Sequence, residues 1–166
     1  MGVRENLGIL RAQMTEIGEL IARPEHELFA SREAISKWSA AQHLDHSLKV
    51  CSAVLGSILE PSGSLPRGIN FLGRLVLSLG WFPRGRGESP QSLRGTSATP
   101  QEIEASVGDI RRFLEMVDEH RVEAAKDPIV RHPYFGGLTA SQALRFLVIH
   151  NRHHLRIINE VMKVRD

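Results

Sequence analysis

"HNRHHLRII", residues 150–158, carries three of the chain's eight histidines within five residues, bracketed by Leu147, Leu155, Ile157 and Ile158. On a helix turning about 100° per residue with Leu147 at zero, His150 falls near −60° and His154 near −20°, roughly, among Ala143, Ile158 and Val161. His153 falls near −120° or so, off that face. The apolar spacing makes this a core-facing helix, and two imidazoles stand in the middle of what it buries. A buried polar group left without a partner costs about 1–3 kcal/mol. The pair therefore needs either acceptors in the core or one shared ion. Histidines at i and i+4 present their rings to a common point, as helical zinc sites do. Taken alone, the pair leaves both readings open.

Outward from this helix, the chain reads as helical almost throughout. "TASQ" (139–142) is a capping box that starts the helix, and the periodic pattern runs nearly to the C-terminus. A first long helix is expected over about 3–22, where Leu7, Leu10, Met14, Ile17 and Ile21 recur at three or four, ended by "ARPE". Residues 23–37 read as a connector with a short helical turn. "SAAQ" (39–42) is a second capping box, opening a helix to about Glu60, where "PSGSLPRG" breaks it. "TPQE" opens a third long helix, with Thr99 as cap, Pro100 at the first position and Glu102 completing the box. That helix is expected through Ile103, Val107, Ile110, Phe113, Leu114 and Val117 to about Ala125. No stretch alternates at period two long enough to read as a strand, and there is no internal repeat. The expected fold is all-α: one domain, 1–166, an antiparallel four-helix bundle. An extra short apolar helix falls between the second and third long helices, in "INFLGRLVLSLGWF" (69–82). It reads either as a fifth helix packed on the bundle or as a dimer surface or lid. Residues 83–99, rich in Gly, Pro and Ser, form a long loop.

Bulk properties exclude several classes. A chain of 166 residues, 42% hydrophobic and 24% charged, suits a soluble domain with a full core. Its single cysteine, Cys51, excludes an internal disulfide framework and fits a reducing, cytoplasmic location. The start, "MGVRENLGILRAQM", lacks the pattern of an export signal, and the apolar segment 69–82 is too short for a membrane span. Net charge is only +2. The basic stretch "PRGRGESPQSLRG", with Arg84, Arg86 and Arg94 against Glu88, has no interleaved aromatics. It reads as a solvated loop and not as a nucleic-acid surface.

A third ligand for an ion at His150 and His154 has to come from another helix. His26, His120 and His132 lie near connectors or helix ends, whereas His43 and His46 lie on the second helix. There Leu44, Leu48, Cys51, Leu55 and Ile58 form the strongest stripe, and His46 points almost directly away from it. Its own face holds Gln42, Val50 and Ala53. Periodicity alone does not choose His46.

"WSAAQHLDH" (38–46) and "HPYFGGLTASQALRFLVIHNRHHLRII" (132–158) together resemble the two metal-bearing signatures of the DinB-like metal-binding superfamily. The closing segment is similar to a branch whose last helix follows an HP-x-FG-x-LT motif. The resemblance implies a four-helix bundle, often dimeric, holding a zinc- or nickel-type divalent ion on His46, His150 and His154. This chain departs from the commoner pattern in two places. Gln42 stands where an acidic residue is frequent, and "HLRII" lacks the glutamine often found just after the last histidine.

Three neutral histidines leave a divalent ion its full charge and an open position, the arrangement of catalytic zinc. Such an ion lowers the pKa of a bound thiol or water. The resemblance implies thiol chemistry, since some members of that superfamily transfer low-molecular-weight thiols to electrophiles. The leading expectation is therefore a thiol transferase-type enzyme that uses such a thiol as cofactor and acts on a small-molecule electrophile. A metal-dependent hydrolase is the alternative, and a non-catalytic metal-binding or stress-associated bundle is another. No general base stands out. Asp45 adjoins His46 but points elsewhere on the wheel. His153 is the one candidate catalytic residue, set against a solvated or supporting role. Cys51 reads as a core thiol.

Overall fold

Three side-chain boxes start three of the long helices. The Ser39 hydroxyl accepts from the Gln42 amide at 3.3 Å, and the Gln42 side chain accepts from the Ser39 N–H at 2.9 Å. Thr99 and Glu102 close the same pair at 3.3 and 2.8 Å, as do Thr139 and Gln142 at 3.3 and 3.0 Å. Such a cap is worth about 1 kcal/mol. The computed structural model, which describes residues 1–84 and 89–163, gives α1 Val3–Ile21, α2 Glu25–Phe29, α3 Ala40–Leu59 and α4 Phe71–Leu79. A 3-10 turn at Gln91–Leu93 follows, then α5 Pro100–Met116, α6 Glu119–Ala124, β1 Val130–His132, β2 Gly136–Leu138 and α7 Ala140–Lys163. Arg86 and Glu88 of the basic stretch lie outside the described residues. Among those described, no helix is long and apolar enough to cross a membrane.

The four long helices α1, α3, α5 and α7 form the bundle, with α1 and α3 each packed between α5 and α7. Leu7, Leu10, Met14 and Ile17 of α1 meet Leu44 and Leu55 of α3, Ile103, Ile110 and Leu114 of α5 and Leu144 and Leu147 of α7 in one buried core. Chain direction follows from side-chain pairs. His43 and His46 face His154 and His150, so α3 and α7 run antiparallel. Arg11 reaches Leu114 and Arg111 reaches Met14, so α1 and α5 do too. Gln13 reaches Val148 and Asn159 reaches Glu16, so α1 and α7 run the same way. It follows that α3 and α5 are parallel. A parallel pair of helices needs a long crossover, which is the structural reason that about forty residues separate them.

The crossover contains the short apolar helix expected between the second and third long helices. α4 seats only a narrow edge, Gly73 and Val76, while Phe71, Leu72, Leu75 and Leu79 stay exposed. Asn70 starts it by accepting from the Gly73 N–H at 2.9 Å, and Gly80, in the left-handed region at φ 67°, ends it.

Two expectations need correction. The third long helix does not reach Ala125; it stops at Met116. Val117 and Asp118 are extended, and the Asp118 carboxylate accepts from the Arg121 N–H at 3.1 Å, starting α6 as a separate helix. A capping aspartate competed with helix continuation and won. Nor is the chain free of strands. Val130–His132 pairs antiparallel with Gly136–Leu138, strands too short for a period to be visible. His132 holds the tip: its Nδ1 accepts from the N–H groups of Tyr134 and Phe135, both at 3.2 Å. Its ring stacks on Phe135 at 4.0 Å.

Burial holds the His132 pKa down to about 4, against an ordinary 6.5. Because the folded value is the lower one, the neutral ring contributes stability above about pH 6.5 that is lost as pH falls toward about 4. Within that window the contribution changes by about 1.4 kcal/mol per pH unit. The His132→Asn variant keeps an oxygen able to accept both N–H groups but cannot titrate. Urea unfolding in steps from about pH 7 to about pH 4 is expected to show a shallower loss of stability in the variant, by roughly one proton. An unchanged slope would mean that His132 is not titrating in this window.

Candidate metal centre

The three histidines picked out in the sequence converge. His46 on α3 and His150 and His154 on α7 each offer a ring nitrogen, and these nitrogens all lie within 4.8 Å of one another. The antiparallel seam brings this about, carrying residues 104 apart to within 3.1 Å at His46 Nε2 and His150 Nε2. His46 and His154 are buried, while His150 keeps part of its ring accessible. An ion bonded to nitrogens at about 2.0–2.1 Å with tetrahedral angles holds them roughly 3.3 Å apart. One pair already stands near that spacing.

The donor chemistry fits a cation. The Leu93 carbonyl lies 2.6 Å from His46 Nδ1. A carbonyl can only accept, so Nδ1 carries the proton and Nε2 is left as a bare lone pair aimed at His150. Among the described residues His150 Nδ1 is buried without a well-formed hydrogen bond; the neighbouring Asn151 side chain is engaged by Cys51 and Gln13. The two rings face each other through Nε2 at 3.1 Å, a spacing that one hydrogen on His150 satisfies and that a shared cation would satisfy as well. Burial, followed by the neighbouring imidazoles, pushes the His150 and His154 pKa values well below the ordinary range. Burial lowers that of His46 as well, partly offset by the Leu93 bond. The rings are therefore neutral near pH 7, as ligands must be.

The crossover supplies the Leu93 carbonyl because it is stapled to α3. Asp45 accepts from the Thr96 N–H at 2.7 Å and the Thr96 hydroxyl at 2.9 Å, and Lys49 binds the same carboxylate at 2.7 Å. Between the two attachment points Gly95 passes so close to α3 that a Cβ there would stand 1.9 Å from the Gln42 carbonyl oxygen. Asp45 thus does point away from the ring cluster, where it anchors the loop. Trp38 covers the α3 pair, 5.3 Å from the rings of both His43 and His46.

A roof is built from the hairpin. Asn70 donates to the Tyr134 carbonyl at 2.7 Å, and its N–H reaches the Phe135 carbonyl at 2.8 Å, fixing the start of α4. Phe82, just beyond α4, then lies against Phe135, Phe146, His150 and His153 with centroids 5.9–6.3 Å apart. Outside it is a recess of about 290 Å³ lined by Trp81, Phe82, Arg84, His153 and Arg156. His153, the candidate catalytic residue, is half-buried there. Burial and then Arg84 and Arg156 lower its pKa. Arg84 is itself held by Glu160 through two bonds of 2.8 and 2.6 Å.

Sequence reasoning gave no role to His43, which the fold puts against His154, Nδ1 to Nδ1 at 2.9 Å. The available signal was its spacing of three from His46, which puts both on one side of α3. Cys51 is a core thiol, pushed up to about 12 by burial and hydrogen-bonded to Asn151. His26 and His120 do not join the cluster.

A helical bundle with three converging imidazoles from its second and last long helices defines a class of candidate metal-binding bundles. Residues 10–158 match the DinB superfamily, and the chain belongs to it. No curated protein and no solved structure matches.

Substituting Gly95→Ala forces the loop off α3, since the clash is with backbone. Thermal unfolding is expected to show a loss of about 1–3 kcal/mol, and zinc affinity to fall by about tenfold or more as His46 loses its acceptor. Gly108→Ala, where a Cβ meets nothing within 4 Å, should leave both unchanged or slightly raise stability. Equal behaviour of the two variants would refute the staple.

Proposed function

We propose that the chain, acting as one bundle domain over residues 1–166, is a divalent-metal-dependent enzyme that joins a low-molecular-weight thiol to a small electrophile. His46, His150 and His154 are the ligands of a zinc- or nickel-type ion. The observation that carries this reading is the bare Nε2 of His46, fixed by Leu93 and facing His150 at 3.1 Å. Family membership supports it independently.

An ion held by three neutral histidines keeps its full charge and makes a bound thiol acidic enough to ionise near neutral pH. The remaining work falls to the protein. The recess beside His153 receives the electrophile: Trp81 and Phe82 offer apolar walls, and Arg84 and Arg156 offer charge to an anionic substituent. Phe82 lies over His150 and keeps bulk water from that side. In the transfer the thiol gives up its proton, its sulfur bonds to the electrophilic carbon, and the leaving halide or opened epoxide oxygen takes the electron pair. His153, neutral near pH 7 on the direction of its shift, is the residue placed to handle that proton.

Thiol chemistry is favoured over hydrolysis by the state of the nearby carboxylates. Asp45 is committed to Thr96 and Lys49 and Glu160 to Arg84. Activating water benefits from a free carboxylate; the more acidic bound thiol asks only for a weak acceptor such as the His153 ring. The exposed apolar face of α4, Phe71, Leu72, Leu75 and Leu79, supports a homodimer, and the unpaired Cys51 a reducing, cytoplasmic compartment.

The test starts with metal content by mass spectrometry on untagged protein. The wild type is expected to hold near-stoichiometric zinc or nickel, and the His150→Ala/His154→Ala variant none. Loaded protein should then consume a small thiol with a haloarene or an epoxide. Turnover without thiol would favour the hydrolase, and metal without turnover a binding protein. A wild type that refuses both metals would end the metal reading. Separately, Leu75→Asp is expected to turn a dimer into a monomer in analytical ultracentrifugation; a monomeric wild type rejects the dimer.

A further inference from the structure

We propose that His43 is the positioning residue of the site, holding His154 in the one tautomer that can bind an ion, through a hydrogen-bond chain that ends on Ser36. The inference rests on the metal reading above and goes beyond its three ligands.

His43 is buried at 4% exposure on α3, one turn before His46. Its Nδ1 stands 2.9 Å from His154 Nδ1, and its Nε2 stands 2.8 Å from Ser36 Oγ. Ser36 Oγ also accepts from the Trp38 N–H at 3.0 Å. The turn bearing Ser36 is fixed in turn: the N–H groups of Ile35 and Ser36 bond the Arg32 carbonyl at 2.8 Å, and Arg32 Nε donates to the Val161 carbonyl of α7 at 3.2 Å. The chain of contacts therefore runs from the ring cluster to a turn tied back onto the same helix that carries His154.

Between two ring nitrogens at 2.9 Å, one hydrogen must lie. Two hydrogens would collide, and none would set lone pair against lone pair. A neutral imidazole carries a single N–H, so the whole chain has only two settings. In the first, His154 Nδ1–H donates to His43 Nδ1, and His43 Nε2–H donates to Ser36 Oγ. His154 Nε2 is then a bare lone pair. In the second, Ser36 O–H donates to His43 Nε2, His43 Nδ1–H donates to His154 Nδ1, and His154 Nε2 carries a hydrogen that excludes a cation. Ser36 can serve either setting. In the first it accepts from both His43 and Trp38; in the second it donates to one and accepts from the other.

An ion selects the first setting. His43 then does for His154 what the Leu93 carbonyl does for His46: it accepts the Nδ1–H and leaves Nε2 free. His43 differs from a carbonyl in being reversible, so metal binding and the direction of this chain are coupled.

The experiment is a zinc titration against a competing chromophoric chelator, on wild type and on the His43→Leu, His43→Gln and Ser36→Ala variants. Long-range 1H–15N spectra of the imidazoles accompany it. Loss of the acceptor in His43→Leu is expected to weaken zinc by about 10–100-fold. His43→Gln, whose amide oxygen can accept from His154, should recover much of that. Ser36→Ala should weaken binding by a smaller factor. In the zinc-loaded wild type, the spectra should show His43 protonated at Nε2 and bare at Nδ1, with a pattern distinct from that of metal-bound nitrogen. Unchanged affinity in a folded His43→Leu, the opposite His43 tautomer, or a metal-bound signature on His43 would each overturn the inference and leave the metal site standing. If His43→Leu does not fold, the wild-type spectra and Ser36→Ala still decide it. A wild type that binds no zinc overturns this inference through the metal reading itself.

Discussion

The structure turns on the need to give buried imidazole nitrogens partners, a need met at His43, His46 and His154 and, among the described residues, left open at His150 Nδ1. His43, His46, His150 and His154 crowd the α3–α7 seam, with ring centroids 4.5–5.1 Å apart along the contacts between them. In so dry a place an unmet donor or lone pair is destabilising by an amount comparable to a good part of a small domain's net stability. Segments outside the bundle answer that demand. The 32–36 turn brings a hydroxyl to His43, and the 91–96 loop brings a carbonyl to His46. His154 is met from within the seam, by His43. What looks like ornament around four helices is largely the means of delivering acceptors.

Chain direction explains how those acceptors arrive. Because α3 and α5 are parallel, the polypeptide must return along the bundle between them. On the way it passes the hairpin, roofs His150 with Phe82, and lays Gly95 flat on α3 before starting α5. An antiparallel α3–α5 pair joined by a short turn would offer neither Phe82 nor Leu93. The crossover is thus the price of one topology and the source of the site's walls.

The helices were legible in the sequence because their determinants are local. Three capping boxes lie within four residues each, and the stripes of α1 and α5 recur within a turn or two. That His46 would converge with His150 and His154 was expected only through resemblance, since the face it occupies is scarcely apolar; Trp38 and the loop cover that face. What stayed hidden is non-local or backbone-borne. The partner of His46 is a main-chain oxygen 47 residues away, about which side-chain identity says nothing. The hairpin has three-residue strands, with His132 bonded across their tip. At Val117 and Asp118 the apolar period continues smoothly into Val122, so only the capping potential of Asp118 marked the break.

The three inner histidines are not held alike. His46 is oriented by a carbonyl and His154 by another imidazole, both through hydrogen bonds that set the tautomer as well as the angle. Among the described residues His150 has no such bond at Nδ1; its ring is confined by Phe146 at 5.4 Å and Phe82 at 6.3 Å. Packing restrains this ring from the outer side where hydrogen bonds restrain the other two, and a Phe82 displaced from the roof would release it. His150 is also the one of the three that stays partly accessible, next to the wall that separates the cluster from the recess at His153. The rigid side of the site therefore faces α3 and the loop, and the compliant side faces the recess. The proposed metal site, which would hold an ion firmly and admit a ligand from one direction, would make use of that division.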